Sequence, residues 1–568
     1  MLFLVAGFTA WQALQVRESL DVVAVDLSRA ADQVTEQDTD GASASIDSAR
    51  AAAADAERHS SGPVWAVASR LPLIGDDVTA VRTVASVSSS LTSGALPELV
   101  TALDGFGPES LQPRDGRIRI RPIVEVAPRL SAGAEEIDAA HRRVEGLETD
   151  GLLGAIATPV RDLEDKLARA ASLSGTAATA AEVLPPMLGS EGDRTYLMVF
   201  QTNAAVRALG GMVGAHALVR VEDGKPSIVS QGRPGDLGRF DEDFIDLTRE
   251  EKALFTTRMS VFPQNATGIP DFPRSARILT QMWDERRPEK LDGVVALDPV
   301  ALGYVLAATG PVELSSGQRL TAQNAADYLL NGVYQQVPDP AAQNVLFDEA
   351  ALRVFETLMA GSLDAQTLVD GLARAAGERR LMVWSAHQDE QERFADTSVA
   401  GALPTTESAT PEIGMYLSGS AADKLGYYLD YDVDVTPTSC GSTGAQAVDV
   451  EVSLTSIAKP GGPFSESIIG PGLGEGVERG TMRNTVFLYG PVAGTLLAAT
   501  LDDAEAPMQE ATHEGRPVGV VTFDLAPGET RQLSYSLRTG PGQDGDPRLV
   551  TTPGSRTTGV GEVAASAC

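Results

Sequence analysis

The sequence predicts a multidomain α+β protein with an N-terminal anchor and helical stalk, a central α/β domain and a C-terminal β-sandwich. Its 568 residues exceed the roughly 250 to 300 residues that one hydrophobic core usually serves. Apolar residues recur every three to four positions in the first third of the chain and every two positions in the last third. Between these parts, short apolar runs alternate with helical segments, a pattern typical of layered α/β structure.

The predicted anchor, residues 1–17, is an uncharged, mainly apolar run from Met1 to Val16 followed by Arg17. The run is slightly short for a membrane span, which needs about 20 apolar residues. No basic segment precedes it, as one would in a cleaved signal peptide. We therefore expect a single-pass anchor, completed by residues upstream of Met1, that holds the rest of the chain outside the cytoplasm at the cell membrane. The alternative is an amphipathic helix of a soluble protein.

Residues 18–189 are rich in alanine and poor in strand-forming runs. Val160, Leu163, Leu167 and Ala170 lie on one face of a predicted helix. Such stripes pack against one another, so this part is predicted to be a helical bundle or stalk.

Residues 190–398 are predicted to form the α/β domain. The predicted strands are residues 195–201, 216–223, 226–230, 291–298 and 381–385. The predicted helices are residues 273–287, 321–336 and 348–361, the last beginning at the capping residue Asp348. The first three strands are close in sequence, so we expect them to be antiparallel neighbours.

Residues 399–412 are rich in proline, threonine and serine and are interpreted as a linker. In residues 413–568 the period becomes two, as in Leu429, Tyr431 and Val433 alternating with aspartates. This alternation predicts a β-sandwich of about seven strands.

Charge and cysteine content exclude several classes of protein. The net charge of −33 argues against nucleic-acid binding, which depends on basic residues that neutralise phosphates. Two cysteines are too few for a zinc site, but Cys440 and Cys568 could form a disulfide if the chain is exported. No GxSxG, HExxH or Walker motif occurs, so the sequence assigns no reaction. An acidic chain always offers carboxylate pairs, so a glycosidase remains a further alternative.

A candidate ligand site follows the first and third predicted strands. Arg207, with Asn203 as a neutral donor, lies after the first, and Arg233, Asp236 and Arg239 lie after the third. If the two loops converge, the arginines can bind a phosphate, and Asp236 can hold a divalent cation such as Mg²⁺. The alternative is that Arg207 forms a structural ion pair and that the glycines near it serve a turn.

Three stretches, "QTNAAVRALGGMVGAHALVRVEDGK", "DFPRSARILTQMW" and "LDGVVALDPVALGYVLAATGPVEL", resemble a family of bacterial envelope proteins, domain of unknown function 4012. The order of elements in the middle domain is also distantly similar to LytR-CpsA-Psr proteins, which transfer wall glycopolymers from prenyl-pyrophosphate carriers. This second resemblance implies that Arg207, and Arg233 with Asp236, bind a pyrophosphate and its magnesium ion. No aspartate directly follows Arg207, so a retained fold with altered chemistry is the other outcome.

Together these features predict a membrane-anchored extracytoplasmic protein of the cell envelope. Its α/β domain would bind, or transfer, a phosphorylated glycan or prenyl-linked carrier. The alternative is a non-catalytic envelope module that makes structural contacts with the wall or with other proteins.

Overall fold

The computed structural model describes residues 2–35, 38–72, 74–105, 107–149 and 151–568, and the side chains of residues 2–11, 35, 103–105 and 108 lie outside this description. The chain divides into two compact units. The first comprises the described residues of Met1–Leu111 and Ile118–Gly192, and the second comprises Gln112–Arg117 and Asp193–Cys568.

The first unit is helical, as its alanine-rich sequence predicts. Its helices are α1 (Leu2–Thr35), α2 (Thr39–Ser60), α3 (Pro63–Ala68), α4 (Gly75–Ser93), α5 (Ala95–Gly105), α6 (Ile120–Glu145) and α7 (Gly154–Met187). Ala42, Ala49, Ala53 and Ala56 are buried on one face of α2. These small side chains allow neighbouring helices to approach closely.

The described part of the chain contains no helix that is both long enough and apolar enough to span a membrane. The anchor expected at residues 1–17 depends on an apolar run of which Met1 and the side chains of residues 2–11 lie outside the description.

The second unit begins with a five-stranded mixed sheet. Its strands are β1 (Arg194–Thr202), β2 (Met212–Glu222), β3 (Lys225–Gly232), β4 (Gly293–Leu297) and β7 (Leu381–Ser385), in the spatial order β3-β2-β1-β4-β7. Strands β1, β2 and β3 are antiparallel neighbours, as expected from the sequence. Strand β4 is parallel to β1. The carboxyl ends of β1 and β4 therefore lie at the same edge of the sheet.

Helices cover both faces of this sheet. The helices of this part are α8 (Arg249–Phe255), α9 (Arg258–Val261), α10 (Phe272–Arg286), α11 (Pro299–Thr309), α12 (Ala325–Asp327), α13 (Val333–Gln336), α14 (Pro340–Met359), α15 (Ala365–Gly377) and α16 (Gln388–Phe394). Helix α10 packs against one face, and α11, α14 and α15 pack in the cluster on the other. A short hairpin of β5 (Val312–Glu313) and β6 (Arg319–Leu320) follows α11, and a π-helical turn, Tyr328–Gly332, precedes α13.

Three predicted boundaries are wrong, and one of them is the start of the helix predicted from residue 321, which begins at Ala325. Helix α14 begins at Pro340, where the Asp339 carboxylate caps the first turn, so the predicted cap Asp348 lies inside the helix. Strand β2 begins at Met212 and not at His216, because its backbone already pairs with Thr202 there.

The rest of the second unit contains two further five-stranded sheets. One holds β9 (Leu429–Cys440), β10 (Gln446–Ser456), β12 (Thr495–Leu501), β13 (Ala504–Glu505) and β16 (Thr530–Arg538). The other holds β8 (Glu412–Gly419), β11 (Met482–Tyr489), β14 (Gln509–His513), β15 (Arg516–Leu525) and β17 (Arg548–Thr551). A short helix, α17 (Glu466–Ile469), follows β10. Alternate side chains from both sheets form one hydrophobic cluster, which explains the period of two in the sequence.

The segment after β17 joins these sheets to the mixed sheet. The Thr552 hydroxyl donates a hydrogen bond to the loop after β1, the carbonyl of Pro553 accepts one from that loop, and the carbonyl of Gly554 accepts one from Arg380 beside β7. A disulfide connects Cys568 to Cys440 at the end of β9. The three sheets therefore form one compact unit.

Candidate functional site

An apolar cavity of about 350 Å³ lies at the carboxyl ends of β1 and β4. In sheets with parallel neighbours, ligands commonly bind at this edge. The volume lies within the range of about 300 to 1,000 Å³ that is usual for small-molecule sites. The apolar lining includes Phe200, Val213, Leu302, Leu330, Phe347 and Ala351.

The π-helical turn supplies Leu329 and Leu330 to this lining. Single π-helical turns are frequent at functional sites, because the extra residue redirects side chains from the regular helical positions.

The loop between β1 and β2, residues 203–211, lies beside the cavity and is held by backbone hydrogen bonds. The amides of Gly426 and Gly419 donate to the carbonyl oxygens of Ala204 and Val206 at 3.0 and 3.1 Å. The Thr552 hydroxyl donates to the carbonyl of Ala208 at 2.9 Å. The loop is therefore a fixed structure, built between the mixed sheet and the segments that follow it in the chain.

A second cleft of about 430 Å³ adjoins the cavity and is basic. The two spaces share the lining residues Met212, Gln264 and Lys424. The cleft is also lined by Arg207, Arg258 and Asp423. Three cationic side chains and one carboxylate leave an excess of positive charge in a protein that is otherwise strongly acidic.

Arg207 contacts neutral groups within the described chain. Its guanidinium donates to Asn265 Oδ1 at 2.9 and 3.2 Å, to the carbonyl of Val206 at 2.7 Å and to that of Gly419 at 3.2 Å. Burial, together with repulsion from Arg258, lowers the pKa of Arg207 to about 10, although Asp423 opposes the change. The charge is thus held in place, and among the described residues it has no carboxylate within ion-pair distance.

Lys424 is the second fixed cation of the cleft. Its Nζ donates to the carbonyl of Ser467 at 3.1 Å and lies 4.6 Å from the centre of the Tyr334 ring. Burial lowers the pKa of Lys424, and it raises the pKa of the neighbouring carboxyl of Asp423. Because Lys424 lines both spaces, it stands where the apolar cavity meets the basic cleft.

Asn203, the predicted neutral donor, lies in a buried polar network. Its Nδ2 donates to Asp298 Oδ2 at 2.9 Å and to the carbonyl of Pro553 at 3.0 Å. Arg380 donates to the same oxygen of Asp298 at 2.8 Å and to the carbonyl of Gly554 at 2.9 Å. Asn203 therefore fixes the start of the loop, and Asp298 also lines the cavity.

Arg233 lies apart from the basic cleft. It forms an ion pair with Asp348 at 2.7 Å and bonds to the side chain of Asn344 at 2.9 Å. Both partners line the apolar cavity on the side of α14. Arg233 thus connects α14 to the end of β3, whereas Arg207 lines the basic cleft.

Asp236 and Arg239 also serve local contacts. Asp236 accepts a hydrogen bond from the backbone amide of Arg233 at 2.7 Å and closes a short turn. Arg239 is exposed, with its guanidinium carbon 5.7 Å from the centre of the Phe262 ring, and Phe262 lines the cleft. The described residues contain no group of three or more His, Cys, Asp or Glu side chains suited to a metal ion.

His216 lines the cavity from the middle of β2. Burial lowers its pKa to about 4, with opposing effects from Asp236 and from the nearby arginines. The imidazole is therefore neutral at physiological pH, and it packs edge-on against Trp283 at 5.5 Å between ring centres.

Sequence reasoning located Arg207 and Asn203 but missed Lys424 and Arg258. Lys424 is one of only six lysines in a chain that otherwise uses arginine, and this rarity was a usable signal. Arg258 lies on the four-residue helix α9, in a stretch without a clear period.

The arrangement combines an apolar cavity with fixed positive charges in the cleft beside it. Such a site suits an amphiphile whose apolar part enters the cavity and whose anionic group meets the cations. The cations of the cleft, Arg207, Arg258 and Lys424, outnumber its single carboxylate, Asp423.

Comparison with known proteins identifies a family model that matches part of the chain. No curated protein and no solved structure matches the chain. Residues 191–334 contain β1 to β4 and much of the cavity lining. These residues match a family model described as a protein of unknown function (DUF4012), so this part of the chain carries the family resemblance expected from its sequence.

Proposed function

We propose that this protein is an extracytoplasmic protein of the cell envelope whose α/β region binds a prenyl-linked phosphorylated carrier. The prenyl chain occupies the apolar cavity, and the phosphorylated headgroup lies in the basic cleft. The observation that carries the proposal is the shared boundary of the two spaces at Met212, Gln264 and Lys424.

The apolar half of the site favours a hydrocarbon over a sugar. Sugars need many hydrogen-bonding partners, whereas the walls of the cavity are mainly aliphatic and aromatic side chains. Burying a hydrocarbon in such a space yields about 25 cal/mol for each Å² removed from water.

The basic half favours a phosphate group. Arg207 and Lys424 are held by neutral oxygens, so an incoming anion does not have to displace a carboxylate partner among the described residues. Arg258 is exposed at the rim and adds a third donor group. Asp236 is bonded within its own turn, and the proposal does not depend on it as a magnesium ligand.

The resemblance to LytR-CpsA-Psr proteins inferred from the order of elements is part of the proposal, and it implies the same class of ligand. We include in the proposal that the α/β region shares their fold and that the two C-terminal five-stranded sheets form a β-sandwich. The anchor at the N-terminus belongs to the same proposal, because a membrane-bound carrier must be reached from the membrane surface.

The proposal is tested by titrating the full-length protein with farnesyl phosphate, farnesol and inorganic phosphate in a calorimeter. We expect farnesyl phosphate to bind at least tenfold more tightly than either of the others, because only it fills both spaces. If it binds no better than farnesol, the headgroup site is wrong. If it does not bind at all, the proposal fails.

Two variants separate the halves of the site. Arg258→Gln should weaken the binding of farnesyl phosphate about five- to twentyfold, through loss of one charge-assisted contact, and should leave farnesol unaffected. Ala351→Phe should fill part of the cavity and weaken both prenyl ligands. Arg319→Gln, an exposed arginine on β6 outside both spaces, is the matched control.

A second candidate function is a non-catalytic module that makes envelope contacts. It is favoured by Arg233 and Asp236, two candidate headgroup ligands that bond to protein groups instead. This candidate predicts that a prenyl-pyrophosphate-linked glycan, incubated with the protein and peptidoglycan, is not transferred. Release of the free prenyl phosphate would exclude it.

A further inference from the structure

An exposed apolar segment lies on the helical unit, between the end of α2 and the start of α4. Val64, Val67, Leu71 and Ile74 are exposed by 36%, 60%, 47% and 44%. They lie within positions 64–74, at intervals of three or four residues. Surfaces of this kind usually mark a site of contact with another molecule or with a membrane.

The segment is held in position from beneath by Trp65. This side chain is 7% exposed and packs with Val16 and Ala56, and its Nε1 donates to Gln12 Oε1 at 3.3 Å. Val64 and Val67 lie on either side of the buried Trp65 in the sequence, so the packing of Trp65 leaves them exposed.

Gln12 connects this surface to the apolar beginning of the chain. It lies in α1, inside the stretch from Met1 to Val16 that contains no charged residue. The residues of α1 between Leu2 and Gln12 rise about 15 Å along the helix axis, at about 1.5 Å per residue, which is half of a typical hydrocarbon core. The contact of Trp65 with Gln12 therefore joins the exposed segment to the uncharged beginning of the chain.

The local charge favours a lipid surface over an acidic protein surface. Arg70 is the only charged residue from Ser61 to Gly75, in a chain whose net charge is −33. A lone arginine among valines and leucines can reach phosphate headgroups while its stem stays with the acyl chains. Aliphatic residues with a basic residue beside them are typical of segments that lie in a membrane interface.

We propose that Val64, Val67, Leu71 and Ile74 form a membrane-contact surface and insert into the bilayer. This surface is independent of the ligand proposed for the α/β region. It rests on the anchor included in the proposed function, to which it adds a second point of membrane contact that fixes the orientation of the helical unit about the axis of α1.

The proposal is tested with a single fluorescent label. Both cysteines of the chain form the disulfide, so Val67→Cys introduces the only free thiol, which can carry an environment-sensitive nitrobenzoxadiazole group. On vesicles of phosphatidylcholine and phosphatidylglycerol, we expect the emission to shift to the blue and to be quenched by lipids with acyl-chain spin labels. The control is the same label on Leu173→Cys, a residue of α7 that is 73% exposed, which should remain in water.

A label at residue 67 that stays in water while the protein is bound to vesicles would overturn the proposal, because α1 alone would then hold the protein. Absence of vesicle binding would also overturn it. A blue shift that grows with protein concentration without lipid would assign the surface to a second copy of the chain instead.

A second measurement uses the unlabelled protein. The double variant Val67→Asp with Leu71→Asp should bind vesicles about tenfold more weakly, because charged groups do not enter the interface. Leu173→Asp should bind as the parent does. Circular dichroism separates loss of binding from loss of fold, and equal binding of all three proteins would contradict the proposal.

Discussion

At the scale of single residues, the site is defined by cations that bond to uncharged partners. Arg207 and Lys424 are bonded to carbonyl and amide oxygens, and burial lowers the pKa of each. A buried charge without a close counter-ion costs folding free energy. Proteins commonly accept such a cost where a ligand supplies the missing charge.

A first prediction concerns His216 and pH. Its folded-state pKa of about 4 lies below the ordinary value of 6.5. Between pH 6.5 and pH 4, His216 is therefore protonated in the unfolded chain but neutral in the folded protein. Stability should therefore fall as the pH decreases from 6.5 to 4, by up to roughly 3 kcal/mol from this residue. His216→Phe should lose correspondingly less stability over this range in urea unfolding. Equal losses in the two proteins would show that His216 does not contribute.

A second prediction concerns the buried ion pair of Arg380 and Asp298, whose side chains are 2% and 1% exposed. Arg380→Met should lower the free energy of unfolding by about 3 to 5 kcal/mol, because it leaves the Asp298 carboxylate buried without its counter-ion. Arg374→Met removes an ion pair whose arginine is 65% exposed and should cost less than about 1 kcal/mol. Adding Asp298→Asn to Arg380→Met should restore part of the loss. Similar losses in the two arginine variants would contradict the prediction.

At the scale of elements, the loop between β1 and β2 depends on close backbone approach at Gly211. A Cβ atom there would lie 2.2 Å from the carbonyl oxygen of Thr202, which belongs to β1 and cannot move freely. Gly210 has a φ of +114°, a conformation that favours glycine. The glycine pair therefore fixes the turn that presents Arg207.

A third prediction follows for this loop. Gly211→Ala should lower the free energy of unfolding by about 2 to 4 kcal/mol and should weaken the binding of farnesyl phosphate, since the loop must shift. Gly235→Ala, where a Cβ meets nothing within 4 Å, should change stability by less than about 0.5 kcal/mol. If both variants behave alike, the loop tolerates the displacement.

The strands around this loop could be predicted from sequence to within one residue at several ends. Residues 195–201 were expected and Arg194–Thr202 is observed, because a short apolar run bounded by polar residues is a clear signal. The separation of Arg233 from Arg207, whose loops were expected to converge, was not predictable in the same way. It depends on α14, whose Asn344 and Asp348 hold Arg233 across more than a hundred residues of sequence.

At the scale of the whole molecule, the second unit is joined by contacts that no local pattern reveals. Asn203 bonds to Pro553 across 350 residues, and Arg207 bonds to Gly419 across 212. Periodicity reports only which residues are buried, and it does not report their partners. For this reason the elements were largely predictable, but the basic cleft, which needs Lys424 from a distant segment, was not.

A fourth prediction concerns the disulfide between Cys440 and Cys568, two residues with a sequence separation of 128. Replacing both cysteines by serine should lower the free energy of unfolding by about 2 to 5 kcal/mol, because the unfolded chain gains freedom. Reductant should lower the stability of the parent to that of the variant and should not affect the variant. A reductant effect on both proteins would point to another cause.

The loop after β1 accepts a hydrogen bond from the Thr552 hydroxyl and donates one, through Asn203, to the carbonyl of Pro553, so its final form depends on the end of the chain. Synthesis delivers β1 early, but the residues that lock its loop emerge several hundred positions later. A growing chain can form the helical unit and then the mixed sheet while the loop is still open. The basic cleft is thus among the last features of the second unit to be completed during synthesis.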